Sequence, residues 1–197
     1  MNMLRLLVSL FQRRKAKPQA EPNIGIPVET ESKESLRPHV ERAIATMGLI
    51  DPQYTEWVLE LFHRHQFSRS EGVALAARKA LDQMTPAEKA AIGVRSNAFM
   101  SRAYYAHLSD KGKTDPLNAL EFTLRLAFFL RCRARDIENM KRAGCEFATA
   151  DGIFAETCGG CRRINNTRYR LSEIPNLPIE GCEEQVCAVS FRGEVTF

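Results

Sequence analysis

Four cysteines in the last quarter of this 197-residue chain, Cys158, Cys161, Cys182 and Cys187, are spaced as C-x2-C, twenty residues, then C-x4-C. Two short chelating turns joined by an intervening stretch of chain outline a tetrathiolate zinc site. The first turn reads Cys158-Gly159-Gly160-Cys161. Its glycines accept the backbone conformations of a tight turn, positive φ included, without Cβ clashes. Zinc stabilises thiolates strongly, and four of them complete a closed tetrahedral shell with no position left for substrate. In small zinc peptides such a shell contributes on the order of 10–16 kcal/mol at neutral pH. That is enough to order about fifty residues that lack a full core of their own. Two other readings stay open: a redox C-x-x-C and unrelated cysteines. A thioredoxin-type pair belongs in a βαβ setting, which the flanks here do not show. The spacing therefore leads to a structural Zn2+ held by Cys158, Cys161, Cys182 and Cys187. Cys132 falls in an apolar helical pattern and reads as a core residue. Cys145 is close enough to the quartet to be a substitute ligand.

Metal-ligand spacing also bears on the compartment. Six cysteines would allow three disulfides in a secreted protein, but four of them cluster as ligands. The N-terminal apolar run Met3 to Phe11 contains Arg5 and leads into Arg13-Arg14-Lys15 instead of a small-residue cleavage site. A reducing, cytoplasmic setting is the expectation. An apolar fraction of 44% with 26% charged residues is that of a soluble globular protein, and no run approaches the length of a transmembrane helix. The net charge of +4 is unevenly spread. Residues 145–197 hold five basic against eight acidic groups, which weighs against this segment as the main phosphate-binding surface.

The expected fold class is mainly α, a bundle of five or six helices followed by a small β-rich, zinc-ribbon-like module. Three regions follow: a basic N-terminal segment and acidic, proline-containing linker over 1–34, a helical bundle over 35–144, and the cysteine module over 145–197. Leu4, Leu7, Leu10 and Phe11 within 2–15 lie at helical spacing and make a weak membrane-surface contact or a frayed helix. Helical periodicity then predicts a first helix over about 37–47, ended by Gly48. The second opens at Asp51-Pro52, an acceptor followed by a proline that needs no amide donor, with Tyr54, Trp57, Val58, Leu61 and Phe62 as its stripe. Ser68 with Glu71 predicts a capping box for a third, burying Val73, Ala76, Ala77, Ala80, Leu81 and Met84; Thr85 with Glu88 predicts another for a fourth that breaks near Gly93. A fifth is expected over about 95–108. The longest, about 116–142, opens at Asp115-Pro116, is apolar around much of its first half and basic in its second. Beyond Gly144, Arg162 to Leu171 reads as two short strands about an Asn165-Asn166 turn, and 188–197 as a last strand.

The order of residues in the tail carries a resemblance. Asp151, the Cys158-to-Cys161 turn, Tyr169-Arg170-Leu171, Pro175-Asn176-Leu177-Pro178 and Cys182 together resemble the cysteine-rich tail of the phage Mu F-like head-morphogenesis (minor capsid) family. It spans about residues 150–190 and implies the same four ligands in a small protein-contacting module. This chain departs from that pattern at Glu180-Gly181, where the family has His-Pro, and in the wider spacing of Cys182 and Cys187.

Little else in the sequence nominates chemistry. His63 and His65, two apart on a helix, point away from each other and cannot chelate one ion. His39 and His107 read as ordinary helix residues. Gly-rich phosphate loops, nucleophile elbows and H-E-x-x-H are absent from the sequence. The leading expectation is a zinc-binding, non-enzymatic interaction or assembly protein that docks a protein partner through its four-cysteine module. One alternative is a nucleic-acid-binding protein using the basic helix end, Arg131, Arg133, Arg135, Lys141 and Arg142, and the N-terminal arm. The same basic stretch reads equally as a solvated helix end or as a surface facing the acidic cysteine module. A further alternative is an enzyme whose site lies in the helical part.

Overall fold

A computed structural model describes residues 30–66, 68–80, 82–151, 158–182, 187 and 189–194. The segment 2–15, most of the linker, Leu81 and Phe197 lie outside the described residues. The described chain is mainly helical, with a small antiparallel sheet near its C-terminus.

Helix α1 (Lys33–Met47) starts earlier than periodicity alone indicates, because the Ser32 hydroxyl accepts the Ser35 N–H at its N-terminus. Pro38 sits inside it at the loss of one intrahelical hydrogen bond. Leu36, Val40, Ala43 and Ile44 form one buried stripe, and Gly48 ends the helix in the left-handed conformation with φ 61°. Asp51 accepts from the Gln53 N–H as expected, but Pro52 opens a single 3-10 turn before α2 (Thr55–Arg64). In α2 it is Val58, Leu59 and Phe62 that are buried.

The Ser68 capping box does not form. Ser68 donates its N–H to His65 O at 2.8 Å in the turn that closes α2, so α3 (Ser70–Arg78) starts later, with Arg69 at its uncapped N-terminus. Its buried residues are Val73 and Ala74, while Ala76 and Ala80 are exposed. The Thr85 box does form, with Thr85 and Glu88 each bonding the other's backbone N–H, and it starts α4 (Pro86–Ala91). The expected helix over 95–108 shrinks to α5 (Arg102–Ala106). Its first half forms a turn closed by Ala98 N–H donating to Arg95 O, and Met100 is then held away from a helix: Met84 N–H donates to Met100 O, and Met100 N–H donates to the Gln83 side chain. The Ser101 hydroxyl then caps α5.

Helix α6 (Ala119–Arg142) is the axis of the fold. Pro116, expected to open it, lies before its start, and its carbonyl accepts the Tyr104 hydroxyl at 2.8 Å. Burial pushes that phenol up to about 12. α1 and α3 both pack against α6, whose buried residues include Leu120, Leu124, Leu126, Ala127 and Leu130. The fully buried Thr123 satisfies its hydroxyl on Ala119 O at 2.8 Å.

After Gly144 comes β1 (Phe147–Asp151), the central strand of the sheet. The segment read as two strands about Asn165-Asn166 is instead α7 (Gly159–Ile164) followed by β2 (Arg168–Arg170), with Asn166 at φ 59° between them. The last strand forms as β3 (Ser190–Glu194). β2 and β3 flank β1, both antiparallel, with Thr149 opposite Arg168 on one side and Arg192 on the other. Ala148 and Ala150 face inward from β1 and are fully buried.

Candidate metal centre

The cysteine turns are built by short local devices. Cys158 is the N-terminal capping residue of α7, and its sulfur accepts the Cys161 N–H at 3.5 Å. The second turn closes with Cys182 N–H donating to Ile179 O at 2.9 Å and with Gly181 at φ 69°. The two turns touch at Gly160. A Cβ there would stand 2.7 Å from the Gly181 carbonyl and the Cys182 nitrogen. Gly160 is therefore needed for lack of volume, and the residue that uses the left-handed conformation is Gly181. Arg163 ties the turns further, donating from Nη2 to Glu180 O at 2.7 Å.

These devices bring the four sulfurs together. Sγ of Cys158 lies 3.5 Å from that of Cys182, and Sγ of Cys161 lies 4.0 Å from Cys182 and 3.8 Å from Cys187. A tetrahedral ion with metal–sulfur bonds near 2.3 Å sets its sulfurs about 3.8 Å apart. A disulfide would need about 2.0 Å, and all six cysteines are free. Cys158, Cys161 and Cys182 are mutually within 4.8 Å, and Cys187 joins this triad through Cys161. The donor set fits a soft or borderline ion such as zinc. Burial, and then the neighbouring thiols, push the Cys161 thiol far above its ordinary value. A bound cation reverses that balance, because it stabilises the thiolate directly.

Three of the four sulfurs sit in the interior. Cys158, Cys161 and Cys187 belong to the same buried cluster as Leu36, Leu120 and Leu126 of the helices, together with Leu177, Ile179 and Val189. A cleft of about 440 Å³ lies beside Cys182 and Cys187, with Met47, Phe122 and Pro178 in its wall. Three of its polar side chains are engaged within the protein. Lys111 Nζ donates to Met47 O at 2.8 Å, the Thr114 hydroxyl donates to Lys111 O at 2.7 Å, and Asp115 accepts from the Asn118 amide.

The two remaining cysteines stand apart. Cys145 is buried in a separate small cluster with Ala148 and Leu171. Cys132 is half-buried on α6, its thiol pushed up by burial. His107 packs at a tilt against Tyr54 and Trp57, ring centres 4.1 and 4.3 Å apart, and burial lowers its basicity, as it does for His39.

The five basic residues at the end of α6 divide. Arg131 has a side chain only 5% exposed, pairs with Glu31 at 2.7 Å and donates to Gln66 O at 3.2 Å. Arg133 turns toward the cysteine segment, where it bonds Pro175 O and lies over the Phe191 ring. Arg135, Lys141 and Arg142 are exposed, and Arg142 lies 3.5 Å from Glu138. Two of the five are thus turned inward, Arg131 to Glu31 and Gln66 and Arg133 to a backbone carbonyl and a ring, and no ion pair among the described residues joins either to an acidic residue after the helix. Gly181, Arg163 and the contact role of Gly160 carried no sequence signal. No helix of the described residues is long and apolar enough to cross a membrane. Comparisons with family models, curated proteins and solved structures give no match to this chain.

Proposed function

We propose that the chain is a zinc-binding, non-enzymatic interaction or assembly protein in which Cys158, Cys161, Cys182 and Cys187 hold one structural ion. The observation that carries this reading is the sulfur geometry, three separations of 3.5 to 4.0 Å that link all four sulfurs. Four thiolates close the shell, so the ion is a structural element and offers no coordination position to a substrate. In this reading the ion fixes the α7 turn against the 179–182 turn, and the module it holds serves as a docking element. The likeness of the tail to the phage Mu F-like minor capsid family supports a protein partner for that element.

The test pairs metal with binding. The zinc-loaded protein and its Cys161→Ser variant, which keeps the helices but loses the metal, are each used to co-purify a protein partner from the source cell. A partner held by the zinc-loaded protein and lost with the variant supports the reading. Binding to generic DNA or RNA that falls steeply with added salt supports nucleic acid instead. Turnover of a substrate by the zinc-loaded protein contradicts the non-enzymatic assignment.

A further inference from the structure

α3 packs on α6, and its N-terminal end meets that helix around a pocket of about 430 Å³. A volume of that order accommodates a small organic ligand. On α6, Phe128, Arg131 and Arg135 follow one another at helical spacing and share the face that lines the pocket. Arg69, Ser68 and Ser70 line it from the start of α3. No acidic residue and none of the four clustered cysteines does so among the described residues. Arg131 is already engaged. Glu31 accepts its Nε at 2.7 Å, Gln66 O accepts its Nη1 at 3.2 Å, and the Gln66 amide bonds the Glu31 backbone through both its oxygen and its nitrogen. That network fixes one wall and offsets one of the three charges.

The other two charges are not offset. Arg69 and Arg135 are exposed, and no carboxylate among the described residues pairs with either. Asp136, next along α6, lines the neighbouring cleft instead, and the exposed Glu71 of α3 does not line the pocket. Two guanidinium groups brought to one pocket from separate helices repel each other until an anion lies between them, and their planar forks match the oxygens of a phosphate. The α3 terminus adds to the field, since Arg69 supplies no side-chain cap to the first turn. The opposite wall is apolar: Phe128 is 40% exposed, one of two large apolar side chains left so among the described residues. We propose that this pocket binds a small phosphate monoester, its phosphate held between Arg69 and Arg135 with the Ser68 and Ser70 hydroxyls as further donors, and the ring of its organic group against Phe128. The site stands apart from the sulfur cluster and does not depend on its metal.

The test titrates the full chain with phenyl phosphate, inorganic phosphate and phenol, the first two followed by phosphorus NMR and the last by proton NMR, methods that read binding into the millimolar range. Phenyl phosphate is expected to bind more tightly than inorganic phosphate, and phenol not to bind. Arg69→Gln and Arg135→Gln are each expected to lose about 10- to 100-fold in affinity for phenyl phosphate, with Arg135→Lys recovering part of it. Phe128→Ala is expected to remove the preference for phenyl phosphate while inorganic phosphate still binds. Arg142→Gln, an exposed arginine of the same helix outside the pocket, keeps the affinity and separates the pocket from general surface charge. All four substituted positions are exposed, so the variants keep the fold, which circular dichroism checks. Absence of phenyl phosphate binding overturns the proposal, as does wild-type affinity in both Arg69→Gln and Arg135→Gln. An equal loss in Arg142→Gln overturns it too, as does a protein that holds single-stranded DNA at low salt but not phenyl phosphate, the outcome that favours nucleic acid.

Discussion

Gly160 shows what a single residue decides here. Its contact with the Gly181 carbonyl and the Cys182 nitrogen is backbone against backbone, and neither side can rotate away. Gly160→Ala is expected to push the two chelating turns apart, costing about 1–3 kcal/mol by denaturant unfolding, with a parallel loss of zinc affinity. An alanine variant with unchanged stability and affinity would contradict the packing. The sequence offers the glycine pair as a source of conformational freedom, whereas the constraint on Gly160 is volume, set by residues about twenty positions along the chain. The cysteines themselves are discriminating in the same way. Cys161→Ser is expected to lose most of the metal and to open 158–197 to protease, while Cys132→Ser keeps its metal. Metal analysis of the two variants side by side checks this, and equal metal in both would count against the ligand set.

At the level of elements, local signals survive where local chemistry is enough. Thr85, Pro86 and Glu88 start α4 from the first turn alone, and Gly48 stops α1. The carboxylate of Glu88 also accepts Nε and Nη2 of Arg102 at 3.0 and 2.7 Å, so one side chain ties α4 to the start of α5. The Arg102 guanidinium, and then the Thr85 N–H, hold the Glu88 carboxyl down at about 2, against an ordinary value of 4.5. A depressed folded-state pKa means that this contribution is present above about 4.5 and is lost as the pH falls toward about 2. Titration of the Glu88 carboxyl by NMR is expected to show a midpoint near 2, and a midpoint at the ordinary carboxylate value would contradict the network. Signals fail where a distant strand-like contact captures the backbone. Residues 95–100 have helical spacing, yet the amide and carbonyl of Met100 are taken by Gln83 and Met84. The Arg162–Ile164 stretch fails differently: with Cys158 capping, the chelating turn itself starts a helix. β1, held between β2 and β3, is decided by partners the sequence does not place.

For the whole molecule, the helices and the cysteine segment share one interior. The mainly helical class and the last strand were readable, because periodicity and alternation are local properties of the chain. The joining of Cys158, Cys161 and Cys187 to the core of α1 and α6 was not, since packing between segments leaves no period behind. Metal binding is therefore expected to couple to overall stability, raising the midpoint of thermal unfolding of the whole described unit. The central claim is tested most directly by metal analysis of the purified protein combined with X-ray absorption at the zinc edge. The account gives one zinc per chain and a shell of four sulfurs at about 2.3 Å. A fully folded, metal-free protein with an ordered cysteine segment, or one whose four cysteines are joined as disulfides, would contradict it.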